Sequence, residues 1–429
     1  MREMVLKKLL RENPLVVTGV GAFSSGGESA GALWQAAMAG QSLAVWAEFD
    51  SGLSQGQTRD RFAVCRAPEL DLTRPELHAV RKMDRCVLMA LLAAQEAMAQ
   101  AGLNGAYPAE RVGIMVGSSR GPFSKRNESL DRFKRGQYPP SISANSTFAA
   151  LNGTLAQAFK FKEPGTTISA TCASSAFTIG LAAEQILLGK ADAMVVGGTE
   201  APLQHPILVQ LYAAGVMGMH EEARLVCRPF DALRNGLVLG EGSGFLVLES
   251  AAAAAARGAK PLARLAGWST QLDNAGRTGV MEDGAELRRA MEQAVELAGL
   301  RPDDIDYINA HGTGTKMNDA AEAEAVRQFL GARAATVPCS STKPVTGHCL
   351  GATSALEAII SIAAMHHQIA PPTANHTQPD PQCAIQPQPL KAGPAVMRHV
   401  MSNSLGFWGY HAALVFSRVE GRAGGEDGG

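Results

Sequence analysis

Cysteine is sparse and unpaired in this chain of 429 residues: seven thiols (Cys65, Cys86, Cys172, Cys227, Cys339, Cys349, Cys383) are scattered with no CxxC pair. An odd, dispersed set speaks against a disulfide framework and a zinc-ligand pattern, and it fits a reduced cytoplasm. An excess of charge of either sign is missing as well, since 39 Lys plus Arg stand against 40 Asp plus Glu. With no basic field, nucleic acid and anionic lipid are not expected partners, and any charged partner must use a local patch. No stretch approaches the roughly 20 apolar residues of a membrane span. The start, MREMVLKKLLRENP, is cationic but has only a brief apolar run and no small-residue cleavage site. The expectation is a soluble protein with a short extension over residues 1–13 and a frayed Gly-rich tail, GRAGGEDGG, over 421–429.

A hydrophobic fraction of 46% suffices for one large core or two fused domains. Short β-branched runs (LVVTGVG, VGIMVGSS, TTISA, AMVVGGTE) alternate with Ala- and Leu-rich helical stretches such as RKMDRCVLMALLAAQEAMAQAGL and SSAFTIGLAAEQILLGK. That order predicts an α/β fold with buried strands and crossover helices. ELRRAMEQAVELAGL, IDYINA, AAEAEAVRQFL, VPCSS, SALEAIISIAAMHHQI and AALVFSRV repeat the style after a break near residue 255, giving halves 14–255 and 256–420. The pattern alone leaves open whether this is a duplication or two α/β domains of one style.

One thiol stands apart. In TISATCASSAFTIG, Cys172 lies between a strand-like run and an apolar helical run, among residues with almost no bulk. A helix N-terminus favours an anion and lowers a thiol pKa, while Ala170, Ala173, Ser174 and Ser175 leave room for a substrate. This suits a nucleophile; the other six cysteines read as small buried hydrophobes. Two of the ten histidines, His311 in DYINAHGTGTKMND and His348 in SSTKPVTGHCLGATSALEAI, sit in Gly/Thr loops after predicted strands, where α/β proteins place active sites. That placement sets them above His78, His205, His220, His366, His367, His376 and His399. Lys343 and Glu357, read alone, are a loop lysine and a helix acid.

Together the motifs VVTGVGAFSS, RKMDR, TCASSAFTIGLAAEQILLGKADAMVVGGTE, RPFDALRNGLVLGEGSGFLVLE, NAHGTGTKMNDAAEAEAV, SSTKPVTGHCLGATSALEAI, APPTAN and NSLGFWGYHAALVF resemble the β-ketoacyl-ACP synthases, and the match runs from Val16 to about Val419. The resemblance implies a thiolase-like fold, with two pseudo-symmetric halves in a five-layer αβαβα core, and a dimer. It also implies that Cys172 takes an acyl chain from acyl carrier protein, with the Cys172 and Phe407 amides as oxyanion hole. His311 and His348 would then bind the malonyl thioester carbonyl for decarboxylative condensation, with Lys343 and Glu357 in support. No cofactor is implied, since the substrates ride on the carrier's phosphopantetheine.

The family's late loop usually reads Gly-Phe-Gly-Gly-Thr-Asn; here Gly406, Phe407, Trp408, Gly409, Tyr410 and His411 stand in its place. Trp408 is expected to restrict the backbone, and Trp408, Tyr410 and His411 to reshape the entrance or pocket. In VGSSRGPF, Arg120 falls where an apolar residue or glycine commonly lines the acyl pocket, which disfavours a long saturated chain. Arg81, Lys82, Lys134 and Arg135 are candidates for docking an acidic carrier. The expectation is therefore a condensing enzyme of a specialised polyketide or polyene pathway, as a homodimer or with a chain-length-factor-like subunit. The alternatives are a housekeeping fatty-acid synthase and a non-catalytic partner subunit. A thiolase acting on coenzyme A esters would need a second cysteine; Cys349 is the nearby one and reads as packing.

Overall fold

Strands buried on both faces set the architecture. In the computed structural model, which describes residues 2–50, 59–163, 165–274, 276, 283–383, 385 and 391–419, every residue of β1 (Leu15–Ser24) is buried. So is every residue of β4 (Ala193–Glu200), and of β5 (Gly242–Ser250) all but the last. Continuous apolar runs, without polar alternation, are what a sheet covered by helices on both sides requires. β2 (Val112–Gly117) and β3 (Thr167–Ile168) complete the first half. The second half has β6 (Ala263–Leu272), β7 (Tyr307–Asn309), β8 (Cys339–Ser340), β9 (His399–Gly406) and β10 (Tyr410–Ser417).

The strand order is β8-β7-β9-β10-β6-β1-β5-β4-β2-β3, so the halves carry one topology twice, and they meet where β1 and β6 run antiparallel, Leu15 opposite Leu265. In each half the last strand runs antiparallel to both neighbours, and the other two pairings are parallel. The helices repeat as well: α1 (Arg85–Ala101), α2 (Ala149–Phe159) and α3 (Ser174–Leu187) are matched by α4 (Ala285–Ala298), α5 (Lys316–Leu330) and α6 (Thr353–His367). α1 packs on β1 and β5 on one outer face and α4 on β6 and β10 on the other, while α3 and α6 touch strands of both halves. This is the expected five-layer α/β core, with α3 and α6 as the middle layer.

Local signals explain the helix ends. Asp84 caps α1 by accepting the Cys86 amide at 3.1 Å, and Gly102 closes it in a left-handed turn. The middle layer is almost wholly apolar: Ile179, Ile186, Leu356, Ile359 and Ile360 are buried, each contributing about 1.5–3 kcal/mol. Gly117 at the end of β2 brings α3 close, because a Cβ there would stand 2.6 Å from the Ser175 amide nitrogen. The first thirteen residues do more than extend the chain: Arg2–Glu12 is a helix, and Leu10 is buried in the core cluster with Ile179 and Ile186. The expected tail over 421–429 lies outside the described residues. Among the described residues no helix is long and apolar enough to cross a membrane.

Candidate active site

Cys172 sits in the sharp turn between β3 and α3, two residues before the helix begins. The turn is strained: Thr171, a β-branched residue, has φ 50°, a conformation costing about 1–2 kcal/mol. Neighbouring groups hold it there. Thr171 Oγ1 donates to the Phe407 carbonyl at 3.2 Å, Ser174 Oγ to the Thr171 carbonyl at 2.6 Å, and Ser354 Oγ to the Cys172 carbonyl at 3.3 Å. Gly406 permits the approach of the late loop, since a Cβ there would stand 2.1 Å from Thr171 Oγ1. The Phe407 backbone amide acts to favour the thiolate form of Cys172.

Both predicted imidazoles converge on this turn from the second half. His348 Nε2 lies 3.1 Å from Cys172 Sγ, and its Nδ1 lies 3.0 Å from Thr353 Oγ1. The His311 ring stands edge-on to the His348 ring, with centroids 5.2 Å apart. Lys343 Nζ donates to the His311 carbonyl oxygen, to Glu357 Oε1 at 2.6 Å, and to His311 Nδ1 at 3.2 Å. A protonated lysine has only donors, so His311 Nδ1 accepts and its proton resides on Nε2. Lys343 and Glu357 are both fully buried, which replaces the reading of a loop lysine and a helix acid taken alone.

Burial dominates the electrostatics. It drives both histidines well below the ordinary imidazole value, and the Lys343 charge pushes in the same direction, so both rings are neutral near pH 7. Glu357 is pushed up to about 7 by burial, against the opposing pull of Lys343. Cys172 departs from expectation: burial pushes its thiol up to about 12, although Lys343, Arg120 and the Phe407 amide act to lower it. A helix N-terminus was expected to lower this pKa, but with only 7% of the residue exposed desolvation of a thiolate outweighs it. The resting pair is a thiol facing a neutral imidazole.

Three buried acids escaped the sequence reading. Glu322 accepts the His311 and Gly312 amides, both at 2.8 Å, and Asp319 accepts the Thr313 amide at 3.0 Å. Both project from α5, three residues apart on one helical face, and the signal was present in HGTGTKMNDAAEAEAV as acids eight and eleven residues beyond His311. Glu200, at the end of β4, accepts from Ser118 Oγ at 3.0 Å and from the amides of Ser119, Arg120 and Gly351 at 2.7, 2.9 and 3.0 Å. It ties the loop after β2 to the segment after His348.

A cavity of about 630 Å³ opens onto Cys172, His311 and His348, with Arg120, Leu211, Leu350, Phe407 and Trp408 among its walls and Thr313, Thr315 and Lys316 along it. Arg120, Phe407 and Trp408 thus line the same cavity as Cys172. Tyr410 faces a neighbouring cavity with Ser169 and Trp408, and stacks edge-on against Phe177 at 5.5 Å. His411 does not reach the entrance: it is buried, its Nε2 2.6 Å from Asp273 Oδ2. Successive strand residues point to opposite faces, so Tyr410 and His411 cannot share a wall. Arg81, Lys82, Lys134 and Arg135 are exposed, and none of them lines the cavity. Among the described residues no group of three His, Cys, Asp or Glu could hold a metal ion.

A doubled α/β core with a buried thiol and two imidazoles between its halves defines the class, a thiolase-like acyltransferase. The N-terminal domain model of beta-ketoacyl synthases matches residues 12–254 and the C-terminal domain model residues 262–377. The chain belongs to the beta-ketoacyl synthase family, condensing enzymes that form carbon–carbon bonds. It is 35% identical over 421 residues to a 3-oxoacyl-[acyl-carrier-protein] synthase 2 of Staphylococcus aureus, covering 95% of this chain and 98% of that one. It is 34% identical to a Streptomyces halstedii protein described as a polyketide beta-ketoacyl synthase, covering 95% and 99%. A solved beta-ketoacyl synthase of Burkholderia phymatum superimposes with a TM-score of 0.86 at 31% identity, covering 95% of this chain and all of that one. The ishigamide ketosynthase/chain length factor does so with a TM-score of 0.85 at 30% identity, with the same coverage.

Proposed function

We propose that Cys172 carries the acyl group of a decarboxylative condensation in a specialised polyketide or polyene pathway. The carrying observation is the 3.1 Å contact between Cys172 Sγ and His348 Nε2, with His311 edge-on beside it. In the first step the Cys172 sulfur attacks the thioester of an acyl carrier protein. The new S–C bond forms, the carrier's S–C bond breaks, and the thiol proton leaves with the carrier's sulfur. The tetrahedral oxyanion is held by the Cys172 and Phe407 amides, a type of donor worth about 3 kcal/mol of barrier.

Malonyl carrier protein then enters along Thr313 and Thr315. Its C–CO2 bond breaks, and the electron pair moves into an enolate whose oxygen accepts hydrogen bonds from the neutral His311 and His348 rings. Neutral donors suit this step because they stabilise the developing charge without a proton being lost or gained. Lys343, Glu357 and Thr353 orient the rings. The carbanion attacks the acyl-Cys172 carbonyl, the Cys172 S–C bond breaks, the released thiolate takes a proton from water to restore the thiol, and the β-ketoacyl product leaves on the carrier.

The specialised reading is supported by Arg120 and Trp408 on the cavity wall, where a long saturated chain would meet a charge and a ring. Likeness to the Staphylococcus aureus synthase favours a second reading, fatty-acid elongation. The intact site weighs against a non-catalytic partner subunit. The seven unpaired thiols suit a reducing cytoplasm, and solved ketosynthases with an acyl-carrier protein and with a chain length factor support the same kinds of partner here.

Intact-protein mass spectrometry after exposure to saturated, polyenoyl and aryl acyl carriers tests this, with Cys172→Ala as control. Selective polyenoyl or aryl adducts are expected, absent in Cys172→Ala. Equal loading of saturated chains points to fatty-acid elongation, and no adduct with any carrier points to a scaffolding role.

A further inference from the structure

The cavity carries a cation that the condensation does not use. Arg120 is half-buried on the wall shared with Cys172, and its charge reaches that thiol. Its Nε is buried with no hydrogen-bond partner, and among the described residues no carboxylate pairs with its guanidinium. The backbone beneath it is fixed, because Glu200 accepts the Ser119 and Arg120 amides at 2.7 and 2.9 Å. Arg126 donates to the Arg120 carbonyl oxygen, and its guanidinium lies 5.7 Å from the Phe123 ring and 5.8 Å from the Phe148 ring. A second cation therefore stands behind the first, and among the described residues neither guanidinium forms an ion pair, the nearby Glu200 being engaged with the Ser119 and Arg120 amides.

A saturated chain laid along this wall would strip water from an unpaired charge and return nothing. An oxygen acceptor would meet a planar fork of donors already held in place. We propose that Arg120 is a specificity residue that hydrogen-bonds an oxygen on the acyl chain held by Cys172, so that the enzyme takes oxygenated chains, carboxylate-bearing or keto-bearing, over saturated hydrocarbon chains of the same length. The proposal rests on Cys172 as the acylated residue. The covalent step is the same exchange of thioesters, with the carrier's thiol as leaving group.

The test compares octanoyl, 7-oxo-octanoyl and 7-carboxyheptanoyl pantetheine thioesters in wild type and Arg120→Ile, reading adduct formation at Cys172 by mass spectrometry. The rate ratio is taken within each protein, which removes any general loss of activity. Wild type is expected to prefer at least one oxygenated chain by about tenfold or more, since a polar group left without its partner discriminates strongly, and Arg120→Ile to reverse the order. Preference for the carboxylate alone assigns an anion site, and equal preference for both assigns a site for any oxygen acceptor. Octanoyl loading as fast as the oxygenated chains overturns the proposal, as it would if an acid from a second subunit neutralised Arg120. A preference that survives in Arg120→Ile overturns it too. Calorimetric binding of the unreactive amide analogues separates the two readings: an oxygen preference in binding without any adduct sinks the role of Cys172 and leaves that of Arg120.

Discussion

A thiol pushed up to about 12 by burial is a poor nucleophile until substrate arrives, and this has a direct signature. Below that value the thiolate fraction rises tenfold for each pH unit, so alkylation of Cys172 by iodoacetamide should climb through pH 7, 8 and 9 without a plateau. A plateau near pH 7 would mean that the α3 amino terminus and the nearby cations stabilise the anion after all. Lys343 makes a second case. Replacing it with alanine leaves Glu357 buried without its cation, a change that costs about 3–5 kcal/mol. Glu357 already has a folded value near 7, above its ordinary 4.5. Its protonated form therefore favours folding, and that contribution is lost as pH rises through 7. Removing Lys343 raises the value further, so the thermal-stability deficit of Lys343→Ala should widen between pH 6 and 8. Lys343→Met with Glu357→Leu should restore much of the stability but not malonyl decarboxylation, because the donor to His311 is gone. A deficit that does not change with pH would show that Glu357 keeps its charge.

At the scale of elements, the turn from Phe407 to Gly409 is the clearest departure, since Trp408 holds φ 65°, where glycine sits without strain. Trp408→Gly removes that strain but loosens the unfolded chain, so stability should change by no more than about 1 kcal/mol. The ring belongs to the walls of both cavities, so its loss should raise the acylation rate of bulky chains relative to acetyl. An unchanged chain-length profile would mean that the ring, 56% exposed, merely packs outward. The same region shows where sequence reading stops. Strands and helices with apolar runs were legible, but β9 was not, because Ser402, Asn403 and Ser404 interrupt its pattern. All three are buried, and Ser404 Oγ lies 2.8 Å from Ser354 Oγ, the group that holds the Cys172 carbonyl. Polar residues inside a strand mark the wall of the site, and only the tertiary structure shows it. Glu200, Glu322 and Asp319 were missed for the same reason: a carboxylate that accepts several backbone amides is indistinguishable in sequence from one in solvent.

For the molecule as a whole, the repeated topology explains why Cys172 could be singled out in the sequence and the residues that meet it only in outline. Cys172 follows a strand-to-helix signal inside one half, whereas the contact with His348 spans 176 residues and needs both halves in place. Partner recognition is a question of the same scale. With a formal net charge of −1 the protein has no global field to steer an acidic carrier, so local cations must do so. Lys316 is exposed at the cavity that leads to Cys172, the position from which a basic side chain can meet a carrier whose arm has entered. Arg81, Lys82, Lys134 and Arg135 lie off the cavity, and Lys134 already stands 3.6 Å from Asp131, so any contribution from them acts on approach. Lys316→Glu should therefore raise the apparent KM for the carrier by about three- to tenfold at low salt, and by less at high salt. Acylation by a small pantetheine thioester should not change, because that substrate has no acidic surface. The same reversal at Arg81, Lys82, Lys134 or Arg135 should alter the association rate more than kcat. A residue whose reversal leaves both KM and association untouched is removed from the docking surface, and if Lys316 is that residue, the carrier approaches the cavity from another side.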